Sequence, residues 1–227
     1  ICFWHKAFVM NLFVILNDLS VFAKLSSNLK EWYGTMECNP LQQGWFVPQD
    51  VPGMVKLMGG TKKVIADLDW MFESTPHDMM WNLYYNHANE PVHLVPFMFN
   101  RLGRPDLTQK WTRFICKNAY SNKVAGLVGN EDCGQMSAWY VLSASGIHQA
   151  CPGDPMFEIT SPVFEKVTFN LPGGKTFRIT ARNNSAENIY IRKASFKGRA
   201  VSSMQISYDE IMAGGHLKLE MCDTPAY

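Results

Sequence analysis

Cys151-Pro152-Gly153-Asp154-Pro155 decides the fold class, because the spacing of apolar residues is helical on its N-terminal side and alternating on its C-terminal side. Two prolines and a glycine within five residues continue neither a helix nor a sheet ladder. Upstream, Val64, Ile65, Leu68, Met71 and Phe72 fall at i, i+1, i+4, i+7 and i+8. That pattern predicts a helix over 61–74, with Thr61 as N-cap behind Gly59-Gly60. Noisier versions of the same period predict helices over 50–58, over 91–102 with Gly103 behind it, over 107–120 after Asp106, and over 135–145 before Gly146. Downstream, short alternating runs occupy 157–160, 167–171, 176–181, 189–192, 201–207 and 217–220. Their separators are turn formers: Pro172-Gly173-Gly174, Asn183-Asn184, Lys197-Gly198 and Gly214-Gly215. The expected fold is mainly α over 1–150, followed by a small antiparallel β domain over 151–227.

Composition narrows the function classes. The 227 residues carry 21 Lys+Arg against 20 Asp+Glu, a net charge of +1, which argues against a nucleic-acid partner because phosphate binding draws on a basic excess. With 47% hydrophobic and 18% charged residues the chain can bury a sizeable core, and intrinsic disorder is excluded. The 13% aromatic share suits either that core or a site that stacks on sugars. Six cysteines (Cys2, Cys38, Cys116, Cys133, Cys151 and Cys222) form no CxxC pair, so a zinc ribbon or thioredoxin-type centre has no support. The apolar run Phe8 to Leu16 falls well short of the roughly 20 residues that span a bilayer, so no membrane partner is expected. Lys6 precedes it without a small-x-small cleavage site, and a chain opening on Ile1 is expected to be a truncated or processed piece.

Three segments set acids beside Asn, Gly or Pro: Met36-Glu37-Cys38-Asn39-Pro40, Asn86 to His93, and Gly126 to Tyr140. Two readings stand side by side. The carboxylates can cap helices by satisfying free N–H groups, or they can gather on one rim for acid–base or metal chemistry. Glu90 before Pro91 fits a helix start and is equally a hard oxygen donor suited to calcium. His87 and His93 are packed histidines, metal ligands or hydrogen-bond partners of a sugar. No HExxH, GxSxG or Walker loop occurs.

Gly129-Asn130-Glu131-Asp132-Cys133-Gly134-Gln135-Met136-Ser137-Ala138-Trp139-Tyr140-Val141 closely resembles the signature of glycoside hydrolase family 92, the calcium-dependent exo-α-mannosidases. Two further stretches agree in order. Trp45 to Val51, with Leu57-Met58-Gly59-Gly60 behind it, is similar to the family's WFVPHDV…LMGG segment, and Asn89-Glu90-Pro91 with His93, Pro96, Asn100 and Gly103 to its NEPSHHxPYLYNYxG segment. Cys151-Pro152-Gly153, Ser161 to Phe164 and Gly214-Gly215 fit its closing β region, so the resemblance covers roughly 35–227.

The resemblance implies part of an (α/α)6 barrel, a partner N-terminal β-sandwich domain absent from this chain, α-mannoside glycans as substrate, Ca2+ as cofactor, inversion at the anomeric carbon, and export to the periplasm or the extracellular space. It implies Glu37 as proton donor, Asp132 as the base that activates water, and Asn130 where some members carry an assisting Asp. It implies Glu90 with Asn89 at the metal, and His87, His93 and Gln135 around the sugar. The sequence departs from the family's TEGNAWQY at Cys38, Pro40, Leu41 and Gln43, and from its NEPSHH at Val92 and Leu94. A non-catalytic carbohydrate-binding fragment with an incomplete site, and a helical piece whose acids are caps, are the alternatives. Asn183-Asn184-Ser185 forms a glycosylation acceptor pattern.

Overall fold

A computed structural model describes residues 38–226 of the chain. The expectations placed on Glu37 and on the 8–16 run lie outside the described residues. The helical part comprises α1 (Pro40–Gln43), α2 (Val51–Leu57), α3 (Thr61–Glu73), two 3-10 turns (Glu90–Val92 and Val95–Phe97), α4 (Met98–Arg101), α5 (Pro105–Asn118) and α6 (Gln135–Ser145). The α3 helix forms where its periodicity predicts, but Gly60 takes the N-cap position at φ 102 and Thr61 is the first helical residue. No helix runs unbroken over 91–102. Pro91 and Pro96 each remove an N–H donor, so the backbone advances in 3-10 turns before a single α-helical turn closes at Arg101.

The β part comprises β1 (Ile147–His148), β2 (Met156–Ile159), β3 (Lys166–Asn170), β4 (Thr176–Arg182), β5 (Tyr190–Phe196), β6 (Arg199–Ala200), β7 (Gln205–Ser207), a short α7 (Tyr208–Met212) and β8 (Gly215–Cys222). The run expected over 201–207 is split: Met204 sits at φ 50, which a strand does not accept, and only 205–207 pair. A three-stranded antiparallel sheet has the order β1-β2-β7, and a five-stranded sheet the order β3-β4-β8-β5-β6. The second sheet is mixed, which corrects the purely antiparallel expectation. β8 enters between β4 and β5, antiparallel to β5 and parallel to β4, with Ile179 opposite Leu217 and Ala181 opposite Leu219. Alternation reports which face is buried, not strand direction; the return through α7 sets the direction.

Two apolar clusters result. Trp45, Met54, Leu68, Phe72, Tyr85, Phe97, Phe99, Trp111 and Trp139 belong to the helical one. Ile159, Phe177, Ile179, Ile191, Leu217 and Leu219 belong to the other. Polar ties join them. The Gln109 side-chain carbonyl on α5 accepts the Ile191 N–H at 2.8 Å. Arg101 on α4 donates to Glu158 and to Asp154, both at 2.7 Å, and Gln205 and Asn100 also donate to the Glu158 carboxylate. Burial pushes the Glu158 carboxyl up, against the hydrogen bonds from Gln205, Arg101 and Asn100, so it holds its charge only because those donors surround it. Among the described residues no helix is long and apolar enough to cross a membrane.

Candidate active site

The segments 86–93 and 129–139, remote in sequence, meet. A Cβ on Gly129 would lie 2.5 Å from the Ala88 carbonyl oxygen and 2.8 Å from the Ala88 Cα, so only glycine lets the two backbones approach this closely. Asn89 and Glu90 follow directly on one side of that contact; Asn130, Glu131 and Asp132 follow on the other.

Hydrogen bonds fix the juxtaposition. The Tyr120 hydroxyl donates to the Met136 carbonyl at 3.0 Å, so towards His87 it accepts: His87 Nε2–H donates to it at 2.7 Å. His87 Nδ1 is then the acceptor of the Tyr85 hydroxyl, at 2.8 Å. His93 Nε2–H donates to the His87 carbonyl at 3.0 Å, leaving Nδ1 to accept from the Gln135 amide at 3.4 Å. Trp139 Nε1–H donates to the His93 carbonyl at 2.9 Å, and the His87 ring stacks on His93 with centroids 4.5 Å apart. Both imidazoles are therefore neutral. Burial lowers the His87 pKa well below its usual value and that of His93 to about 4.

His87, expected in the sugar pocket, is wholly buried with both ring nitrogens engaged by tyrosines, and His93 is buried beside it. They stand behind the wall and brace it. Tyr85 and Tyr120 complete this brace and were not read from the sequence. Their signal was weak, since an aromatic two residues from a histidine, or far from it, is ordinary in a chain this rich in aromatics.

The acids divide by role. Glu131 accepts the Ser137 backbone N–H at 2.9 Å and its hydroxyl at 2.6 Å, so Glu131 caps α6 and its carboxyl is held below the usual range. Gly134 at the N-cap position makes no side-chain cap. Asp132 and Asn130 are exposed and are not the caps of α6. Asp132, Cys133 and Gly134 run consecutively at φ 28, 57 and 79. Left-handed backbone at a non-glycine residue costs on the order of 1–3 kcal/mol and persists where the surroundings impose it.

The sequence model described as the Glycosyl hydrolase family 92 catalytic domain matches residues 17–223. The chain belongs to glycosyl hydrolase family 92. Among relatives, an uncharacterized secreted glycosidase of Arthroderma benhamiae is 29% identical over 211 residues, 92% of this chain and 26% of that protein. A solved family GH92 α-mannosidase of Bacteroides thetaiotaomicron, in complex with mannoimidazole, superposes with a TM-score of 0.77 at 34% identity, over 83% of this chain and 26% of that one. A family GH92 inverting mannosidase of the same organism gives 0.77 at 36% identity, over 84% and 28%. The chain thus spans about a quarter of the length of these relatives.

In this GH92 chain the donors near the loop contact are hard oxygens. Glu90 is half-buried with Oε1 shielded from solvent, and Asn89 is buried. A carboxylate beside an amide fits the oxygen preference of calcium. Among the described residues no three His, Cys, Asp or Glu gather as a ligand set, so main-chain, water or substrate oxygens would have to complete the shell. Leu41 and Leu94, where the family motifs carry Trp and His, are buried in the helical core.

Proposed function

We propose that the full-length protein containing this chain is a calcium-dependent, inverting exo-α-mannosidase acting on mannosylated glycans, and that this chain supplies most of its acid–base and metal-binding residues. The observation that carries the reading is the contact of the Ala88 and Gly129 backbones, which brings the loop of Glu90 next to the loop of Asp132. The family membership and the mannosidase activity named for two structural relatives support it.

In this reading Glu37 donates a proton to the glycosidic oxygen as the bond to the anomeric carbon breaks. Asp132 takes a proton from a water that attacks the opposite face of the ring, with Asn130 orienting that water. The product is free mannose of inverted configuration. Inversion requires roughly 6.5–9.5 Å between the two carboxyl groups, to leave room for the water. The exposed Asp132 suits a base that stays ionised. Glu90 and Asn89 would hold the calcium ion, which, when bound, polarises the sugar hydroxyls it touches. His87, His93 and Gln135 serve the sugar pocket, the two histidines by holding its wall from behind. Residues 1–150 belong to an (α/α)6 barrel that meets an N-terminal β-sandwich, and 151–227 close it as the β domain. The secreted relative supports export.

The burial of Leu41 and Leu94 favours a second reading, a glycan-binding module without turnover, because two sugar-facing groups of the family motifs are replaced by core residues. Proton NMR of the full-length protein digesting defined α-mannobiosides, with calcium and with a chelator, tests both. Release of β-mannose that stops with the chelator and is lost in Glu37→Gln supports the enzyme; saturable mannose binding without release supports the module.

A further inference from the structure

A cleft of about 230 Å³ opens between the start of the described chain and the 81–86 segment, lined by Cys38, Asn39, Gln42, Trp81, Leu83 and Asn86 among others. Its frame is rigid. Asn39 Nδ2 donates to the Leu83 carbonyl at 2.9 Å, and Gln42 Nε2 donates to the Asn82 and Tyr84 carbonyls, both at 2.8 Å, so α1 is laced to the opposite wall. Two features of the lining have no part in that lacing. Trp81 keeps 47% of its surface exposed and Leu83 39%, giving the mouth an aromatic and an aliphatic face. Asn86 is only 1% exposed, yet its Oδ1 has no hydrogen-bond partner. A buried acceptor left unpaired carries a desolvation penalty of about 1–3 kcal/mol, which a donor in the cleft would relieve. An indole platform with one inward-facing acceptor is the chemistry that recognises a pyranose, apolar on its ring faces and hydroxylated at its rim. The volume lies below the roughly 300–1,000 Å³ of pockets that enclose a drug-sized ligand, so it takes one ring and not a chain of them.

The cleft also has a side. It borders Cys38, the residue after Glu37, and none of its lining residues comes from the 129–135 loop that carries Asp132. Water attack and departure occur on opposite faces of the sugar in an inverting glycosidase. A hollow beside the proton donor and away from the base therefore lies on the departing side. We propose that this cleft is the leaving-group subsite, in which Trp81 stacks on the sugar released from mannose and Asn86 Oδ1 accepts one of its hydroxyls. The assignment rests on the mannosidase reading above and adds the aglycone sugar and its two recognition residues.

Steady-state kinetics of the full-length protein on an α-mannobioside and on α-mannosyl fluoride, whose leaving group has no ring, separate the two sides. Trp81→Ala lowers kcat/KM on the disaccharide at least tenfold more than on the fluoride, chiefly through KM, and Asn86→Leu shows the same asymmetry. Equal losses on both substrates, or no loss on either, in variants that melt within a few degrees of the parent overturn the subsite while the mannosidase reading stands. An unmodified protein that turns over neither substrate overturns both.

Discussion

Gly129 has no room for a side chain: the Ala88 carbonyl stands where its Cβ would go, and both neighbours are backbone that cannot swing aside. Gly129→Ala is expected to part the Glu90 and Asp132 loops by a fraction of an ångström to an ångström. Misplacement on that scale costs about a hundredfold in rate when it separates groups that must act together. Mannose release should therefore fall about that much, with a much smaller change in melting temperature; unchanged kcat/KM would show that the contact does not position the chemistry. Nothing in the sequence marks this glycine beyond its place in the family signature, because its partner lies in another segment. The two acids beside it are equally indistinct on paper. The structure separates them, since Glu131 is spent on the Ser137 N–H and hydroxyl. Asp132→Asn is expected to lower kcat by roughly 10²–10⁴, the range for a general base. Glu131→Gln, which keeps an acceptor for Ser137, should cost less than tenfold. Parallel kinetics of the two variants check the assignment, and a larger loss in Glu131→Gln would reverse it.

Elements were legible where a single local rule governs them. α3 follows from its apolar period, and α5 from Pro105 opening a long apolar-periodic run. The 91–102 run misled because apolar spacing looks the same whether or not prolines allow the hydrogen bonds. α7 was overlooked although Ser207 and Glu210 form a capping box, because the alternating run before it absorbed Ser207 into a strand. β1 has two residues, too few for any period, yet it buries His148 against Phe97, ring centroids 4.2 Å apart. Burial lowers the His148 pKa to about 3, and its Nδ1–H donates to the Gln149 carbonyl. In the unfolded chain a histidine takes up its proton near pH 6.5. Below that pH the unfolded state binds a proton that native His148 refuses until about pH 3, so stability is full above 6.5 and falls as the solution is acidified. The loss from this one residue is on the order of 2 kcal/mol by pH 5. Urea midpoints at pH 7 and pH 5 should differ in that direction, and His148→Gln, which cannot titrate, should narrow the difference; an unaltered gap would place the acid sensitivity elsewhere.

At the scale of the molecule, the Cys151–Pro155 breaker announced two regimes, and two apolar clusters are found, but what holds them together was not legible. Arg101, Asp154 and Glu158 look like ordinary surface charges in sequence; only the fold brings α4 onto β2 and encloses the Glu158 carboxylate. The candidate site was legible in its parts, through the family signature, while its assembly depends on long-range pairings such as Trp139 to the His93 carbonyl. The buried ion pair gives that dependence a measurable form. Arg101→Met strands the Glu158 charge in the interior, a change that typically costs about 3–5 kcal/mol, whereas replacing both members with apolar residues of similar volume is often close to neutral. Arg101→Met alone should therefore lower the unfolding midpoint strongly, and Arg101→Met with Glu158→Leu should recover much of the loss. Asp154, which shares the guanidinium but is partly exposed, tolerates the double change. Denaturation of the single and double variants, closed as a double-mutant cycle, reads the coupling directly. A double variant whose loss equals the sum of the singles would mean that Arg101 and Glu158 act independently, and that the apolar clusters, rather than this charge pair, hold the helical and β parts in register.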